Sequence, residues 1–286
     1  MKIVVLYVSY PKSEKEFKKN LEKIQVFLKE KLTEDYEIFI VNNNSKIKYQ
    51  NKNDKIKNIS YRNNSYFDFG GWNFLVRSNK KKINKSDWVL IINDTFDKDY
   101  KYHLKLFNKQ MLKKLNKENV ALGHLDAYTN KDKFENVSLL GNASPYWLRT
   151  SFLFISSSFF SKINSLLFLK KKDVFYKDSY DIDKKNIKIS KNFYNQIMFW
   201  LLGVLPEKKL SHKYRNVKRS TSKSYLRNKI ITILNEFHLS RTLENFGYKL
   251  IDIEWAFYQK QKYYPLSIEQ IKFCNEQRQK IGIKNP

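Results

Sequence analysis

The sequence predicts an α/β fold: a mostly parallel sheet flanked by helices on both faces, followed by a more helical C-terminal part. Three observations carry this. Short apolar runs and amphipathic stretches alternate up to about residue 125, as in strands joined by crossover helices. Several of those runs end on Asn, Asp, Ser or Thr, which suit turns at strand ends. Beyond about residue 140 the alternation lapses and helical periodicity takes over.

Residues 2–10 read as the first strand, closing at Ser9-Tyr10-Pro11. A lysine-rich amphipathic helix follows over 13–32, with Phe17, Leu21, Ile24, Phe27 and Leu28 at helical intervals. Ser13 and Glu16 fit a capping box. Tyr36 to Val41 is the second strand, running into Asn42-Asn43-Asn44-Ser45, and Ile56 to Tyr61 is the third, after a polar loop. A helix is expected over Phe69 to Ser78, then a strand over Trp88 to Ile92 that ends on Asn93-Asp94-Thr95. Residues 103–116 read as a helix, Val120 to Leu122 as a strand, Trp147 to Ser156 as a strand, and Phe159 to Phe168 as a helix. The charged stretch 170–190 has no period and reads as exposed. Helices are expected over 192–202 and 226–246, the second stopped by Gly247. A late strand over Ile251 to Phe257 and a terminal helix over 267–280 complete the chain.

Glycine (7) and proline (5) are scarce, which argues against long linkers, and 42% hydrophobic residues supply a sizeable core. The lone Cys274 excludes a disulfide framework and fits a reducing compartment; it reads as an inert thiol. The apolar run after Met1 is too short for a signal peptide, and no run approaches the ~18 residues of a membrane span. The expected location is cytoplasmic, with peripheral attachment to the inner face of the membrane. A net charge of +27 draws a protein to polyanions. A coding bias gives the same lysine-rich composition, and both readings stand.

Strand ends are where open α/β sheets bind ligands. Ser9, Asn43, Asn93 and Asp94 lie at such ends and are read as ligand-binding. Asp94 suits a divalent metal or a ribose hydroxyl, with Asp97 and Asp99 just beyond. The plainer reading is a strand-ending turn. Asp68, Gly70 and Gly71 open a helix, where glycine lets a ligand approach the backbone and Asp68 holds free amides or a hydroxyl. The plainer reading is a capped, closely packed helix. Neither a G-x-G-x-x-G fingerprint, a Walker loop nor a G-x-S-x-G elbow occurs. His103 and His212 have no metal-ligand spacing, and no Cys/His cluster occurs, so a zinc site is not expected.

Four segments resemble rhamnan-synthesis-protein-F-like bacterial glycosyltransferases. Asn64 through Trp72 is similar to that family's "N-x-G-x-D-F-G-A-W", and Ile91 through Thr95 to its "L-x-N-D-S" strand end. Pro145 through Phe154 resembles its later aromatic-apolar strand, and Glu236 through Tyr248 its "E-x-x-L-(T/S)…G-Y" helix. The order and rough spacing agree over about residues 2–250. Tyr66 stands where the family has glycine, Gly71 where it has alanine, and Arg149-Thr150 where a glutamine precedes the strand. Asn93-Asp94 offers one carboxylate in place of a D-x-D pair.

The resemblance implies a GT-A-like fold and transfer of a hexose or deoxyhexose from a nucleotide-sugar donor. The acceptor would be a bacterial surface glycan: capsule, O-antigen or lipooligosaccharide, free or lipid-linked. Residues 1–140 would then form a nucleotide-sugar half and 141–286 an acceptor half, within one continuous domain. Mg2+ or Mn2+ on Asp94, or basic groups such as Arg149, would offset the leaving diphosphate. Asp126 is the preferred base, with Glu236 and His238 behind it. His124 reads as a satisfied, partly buried histidine. The basic tract Lys208 to Lys229, with Tyr214 and Tyr225, reads as a contact for anionic membrane, as a phosphate binder, or as a solvated face. No specific nucleic-acid signature is present. The competing functions are a basic nucleic-acid-binding module and a non-catalytic, degenerate transferase domain.

Overall fold

Both faces of the central sheet are packed, and its first and fourth strands are buried along their whole length. The computed structural model describes residues 1–50, 53–96, 101–116, 118–127, 137–144, 146–177, 179, 181–202, 222–259 and 272. Its strands are β1 (Ile3–Ser9), β2 (Tyr36–Asn42), β3 (Ile56–Tyr61), β4 (Trp88–Asn93), β5 (Val120–Ala127), β6 (Ser138–Leu139), β7 (Asn142–Ala143), β8 (Tyr146–Ser156) and β9 (Lys249–Asp252). Its α-helices are α1 (Glu14–Phe27), α2 (Phe67–Ser78), α3 (Lys80–Ile83), α4 (Lys109–Leu115), α5 (Ser158–Lys162), α6 (Lys171–Val174), α7 (Lys191–Leu202), α8 (Lys223–Asn245) and α9 (Ile253–Gln259).

Seven strands form one sheet in the order β3-β2-β1-β4-β8-β5-β9. β1 pairs in parallel with both β2 and β4, and β9 in parallel with β5. β8 alone runs against its neighbours β4 and β5. The mostly parallel α/β architecture expected from the sequence is therefore present. Along β1, Val4, Leu6 and Val8 join one core with Trp72 of α2 and Leu234 of α8. Ile3, Val5 and Tyr7 join the other, against Phe17, Leu21 and Ile24 of α1. Trp72 ties α2 to the sheet, its indole N–H donating to the carbonyls of Leu6 (3.1 Å) and Ile92 (3.3 Å). Among the described residues, no helix is long and apolar enough to cross a membrane.

Several expectations need correction. Ser13 caps α1 by accepting from the Glu16 amide (3.2 Å), but the Glu16 carboxylate takes the Lys12 amide (2.7 Å) instead of closing the box. The helix over 103–116 is divided. A 3-10 turn (Lys101–Lys105) comes first, and Asn108 then caps α4 through the Met111 amide (2.9 Å). The helix from Phe159 stops at Lys162, where Ile163 is extended. The amides of Phe168 and Leu169 go instead to the Asn235 side chain (2.8 and 3.0 Å). The stretch 170–190 is not simply exposed, since Val174, Phe175, Ile182 and Ile187 are buried; its charges obscure that pattern. The strand expected over 251–257 begins earlier and stops sooner, as β9 (Lys249–Asp252), and residues 253–257 are helical. Asp252 ends β9 and accepts from the amides of Glu254 (2.9 Å) and Trp255 (3.0 Å), which turns the chain into α9. α8 closes as expected on Gly247, at φ +80°, with the Tyr248 amide returning to the Leu243 carbonyl (2.9 Å). Residues 267–280, Cys274 and most of the basic tract lie outside the described residues.

Candidate functional site

Strand order reverses between β1 and β4: the chain winds from β1 through β2 to β3, then returns to lay β4 on β1's other side. Ligands of open sheets bind outside the carboxyl ends of strands at such a point. Ser9 ends β1, Asn42 ends β2 and Asn93 ends β4, so these polar residues stand along one rim. Ser9, Asn43 and Asn93 are all buried. The Asn43 amide N–H bonds the Ser9 carbonyl (2.8 Å), and its side chain donates to the Phe67 carbonyl at the start of α2 (3.2 Å).

Asp94 is wrapped by donors. The Tyr7 hydroxyl donates to Oδ1, Ser9 Oγ lies 3.0 Å from both oxygens, the Tyr10 amide donates to Oδ2 (2.5 Å), and the Asn20 side chain to Oδ1 (3.3 Å). Burial nevertheless raises its pKa, with those donors pulling the other way. This donor set does not fit a hard divalent cation. Protein groups already face both oxygens, and among the described residues Asp94 belongs to no cluster of three or more ligating side chains. Asp97 and Asp99 lie outside the described residues.

Asp68 sits differently. Among the described residues it accepts one hydrogen bond, from the Asn93 side chain (2.8 Å). Desolvation pushes its carboxyl up to about 6; Lys229 of α8 and Asn93 pull it down, while Asp94 and Glu236 push it further up. Charged groups just after β4 and on α8 thus lie within electrostatic reach of Asp68. Just before Asp68, Tyr66 (φ 60°) and Phe67 (φ 46°) are both left-handed, a conformation that strains non-glycine residues and that clusters at functional sites. The Asn228 side chain of α8 accepts from the Tyr66 amide (3.3 Å), and the Tyr225 ring lies against Phe67 (5.3 Å between centroids).

Asp126 lies within β5 and not after it. Its Oδ2 accepts from Arg149 Nε (2.8 Å) and pairs with the same guanidinium's Nη2 (2.5 Å). Arg149 also reaches Glu236 (3.3 Å). Glu236 further accepts from Trp147 Nε1 (3.1 Å), the Thr150 amide (3.0 Å) and the Thr150 hydroxyl (2.7 Å). The three residues read as catalytic are thus brought together, but as one ion-paired knot between β5, β8 and α8. A cavity of about 20 Å³ opens beside it, walled by Trp147, Arg149, Glu236 and Gln196 among others, room for one water.

Gly70 and Gly71 face protein rather than open space. A Cβ on Gly70 would lie 2.2 Å from the Ser65 carbonyl oxygen, and one on Gly71 2.7 Å from a Val8 methyl. Gly71 thus lets α2 pack closely on β1, and Gly70 lets the turn at Ser65 and Tyr66 lie against the helix start, the plainer of the two readings. His238 lies against Phe168, its pKa lowered by burial. His124 is buried on the far side with His103 and Glu254.

Sequence reasoning missed Tyr7 and Asn20, and named Lys229 only as the end of the basic tract. Asn20 carried a signal, being a polar residue on the buried stripe of α1 between Phe17 and Leu21. Tyr7 also carried one, since a buried phenol needs a hydrogen-bond partner. Lys229 carried a weaker one, seven residues before Glu236 and so on the same helical face. No family model matches the chain, and no curated protein matches it.

Proposed function

We propose that this protein is a glycosyltransferase with a GT-A-like arrangement, moving a sugar from a nucleotide-sugar donor to a surface-glycan acceptor. The observation that supports it most is the Asn93–Asp68 contact at the switch point, with Asp94, Glu236 and Lys229 close enough to shift the Asp68 proton affinity. In this reading the donor diphosphate lies over the carboxyl ends of β1 and β4, near Lys229 and the start of α2. Asn93 and Asn43 order the wall beneath it.

The reacting groups divide as follows. The bond from the anomeric carbon to the diphosphate oxygen breaks, and its electron pair leaves with the nucleoside diphosphate. The acceptor oxygen bonds to the anomeric carbon and gives its proton to a carboxylate. A base works best with a pKa near the working pH. Asp68, pushed up to about 6, suits that task better than Asp126, which a guanidinium holds by two nitrogens. Asp126, Arg149 and Glu236 then position β8 and α8. Lys229 offsets leaving-group charge, and no step runs through a metal ion.

Isothermal titration with UDP-, GDP- and dTDP-sugars tests this. Binding of one donor, with Asp68→Asn keeping that binding but losing turnover, is expected. No binding to any donor, with or without Mn2+, overturns the reading. A steeply salt-dependent affinity for nucleic acid in the same protein would favour the basic-module alternative.

A further inference from the structure

On the opposite face from the Asp68 rim, three buried side chains converge from distant parts of the chain. His103 comes from the 3-10 turn, His124 from β5 and Glu254 from the first turn of α9. Their relative exposures are 3%, 3% and 0%, and one ligand atom from each lies within 4.8 Å of the others. His103 Nε2 and Glu254 Oε1 are 2.9 Å apart. The imidazoles stack with centroids 5.1 Å apart and planes at 30°. We propose that His103, His124 and Glu254 form a binding site for a divalent transition metal, Zn2+ foremost. This does not depend on the sugar-donor reading.

Two features of the backbone aim these groups. β5 alternates without interruption, Val120 and Leu122 facing one core and Ala121 and Leu125 the other, and His124 falls on the side of Val120 and Leu122. The register shift opposite it, between Gly123 and Leu125, places its extra residues in β8. Asp252, itself fully buried, then sets the spacing of the other arm. Its Oδ2 accepts from the Leu125 amide (2.8 Å), next to His124, and its Oδ1 from the Glu254 amide (2.9 Å). One carboxylate thus registers both a strand ligand and a helix ligand, the task of an outer-shell group at metal sites.

The chemistry selects the ion. Two imidazole nitrogens and one carboxylate suit zinc and its neighbours, whereas Mg2+ and Ca2+ prefer all-oxygen sets. Bonds of about 2.0–2.1 Å in a tetrahedron place ligand atoms about 3.3 Å apart. The His103–Glu254 separation need open only slightly, and the widest separation, within 4.8 Å, must close by about 1.5 Å. A divalent charge also offsets a carboxylate that is otherwise held deep in the protein, where an ionised group is costly. The bound ion would add a staple between α9, the 3-10 turn and β5, beside the His103–Glu254 contact and the Asp252 bonds already described.

The test uses untagged, full-length protein, so that the chain's four histidines are the only ones present. Chelator-treated protein is titrated with Zn2+, with a chromophoric chelator as competitor, and its Tm followed. The expected result is one tightly held Zn2+ per chain, a rise in Tm on loading, and a tetrahedral visible spectrum with Co2+. His124→Gln and Glu254→Gln should each weaken binding at least ~100-fold, more than the ~10–100-fold typical of outer-shell changes. A His212→Gln/His238→Gln variant should bind as the parent does. Should either single variant fail to fold, the parent's stoichiometry, Tm and Co2+ spectrum still decide. Parent protein with no stoichiometric Zn2+ and a Tm indifferent to chelator and metal overturns the proposal, as does undiminished affinity in folded His124→Gln.

Discussion

Asp94 and Asp68 stand at the same rim of the same sheet, yet their surroundings assign them opposite work. Asp94 accepts from Tyr7, Ser9, Tyr10 and Asn20, which bind the end of β4 to β1 and α1. Asp68 accepts from Asn93 alone among the bonds described, and its proton affinity is raised toward neutrality. A carboxylate surrounded by donors is a strut; one crowded by protein and other acids is available for proton transfer. Residue type and position at a strand end do not separate the two. The count of donors does.

The largest effect expected comes from breaking the strut. Asp94→Ala leaves two hydroxyls, a backbone amide and a side-chain amide without their acceptor. Each such loss costs about 1–3 kcal/mol when buried, and partial exposure moderates the sum. A destabilisation of about 3–5 kcal/mol in the urea midpoint is expected. A loss below about 1 kcal/mol would mean that these donors find water equally good and that Asp94 is free to serve a ligand.

The opposite sign is expected at Asp68. Its folded pKa of about 6 lies above the ordinary 3.8, so between those values the folded chain holds a proton that the unfolded chain has lost. Stability therefore falls as pH rises through that window. Above it, the ionised carboxylate destabilises the fold by up to about 3 kcal/mol, from about two pKa units at about 1.4 kcal/mol each. Asp68→Asn should raise stability by up to that amount at pH 7.5 and change it little at pH 3.5. An equal gain at both values would trace the effect to packing and remove the proton-transfer argument. Stabilisation gained by replacing a reactive group is the usual mark of a functional site.

Glu236 offers a third comparison, because it resembles Asp94 in donors but lies on a helix. Glu236→Gln keeps a carbonyl oxygen for Thr150 but weakens the bonds to Arg149 and Trp147. About 2 kcal/mol should be lost, since bonds to a charged group are the stronger kind. Arg149 keeps Asp126, so donor affinity should change less than stability. Calorimetry on the folded variant checks both.

Much of this fold was legible. β3 begins and ends as expected, and β1, β4 and α2 differ by a residue or two at their ends, because apolar runs bounded by polar turns leave few alternatives. The direction of β8 was not legible, since apolar content is the same in either orientation. The pairing of Asp126 with Arg149, 23 residues apart, depends on how β5 and β8 register. The meeting of His103, His124 and Glu254 was hidden more deeply, because Glu254 lies 151 residues from His103 and in a segment that read as a strand. The glycines are ambiguous in sequence for a simpler reason: absence of a side chain serves packing and ligand approach alike, and the neighbours at Gly70 and Gly71 show the packing.

The smallest effect expected is also the one that best isolates the strut. Tyr7 is fully buried, and its hydroxyl serves Asp94 and Ser9. Burial first, and the Asp94 charge second, raise its pKa well above the phenol's ordinary value, so it stays protonated across the neutral range and adds no pH dependence there. Tyr7→Phe leaves Asp94 with its Ser9, Tyr10 and Asn20 donors and should cost about 1 kcal/mol. In the Asp94→Ala background the same change should cost little, because the hydroxyl has already lost its charged acceptor and keeps only the longer contact to Ser9 (3.3 Å). The two single effects would then fail to add, with a coupling of about 1 kcal/mol in a double-mutant cycle. Additive losses would show that Tyr7 and Asp94 act separately, and the contrast between a bound acid and an available one would lose its physical basis.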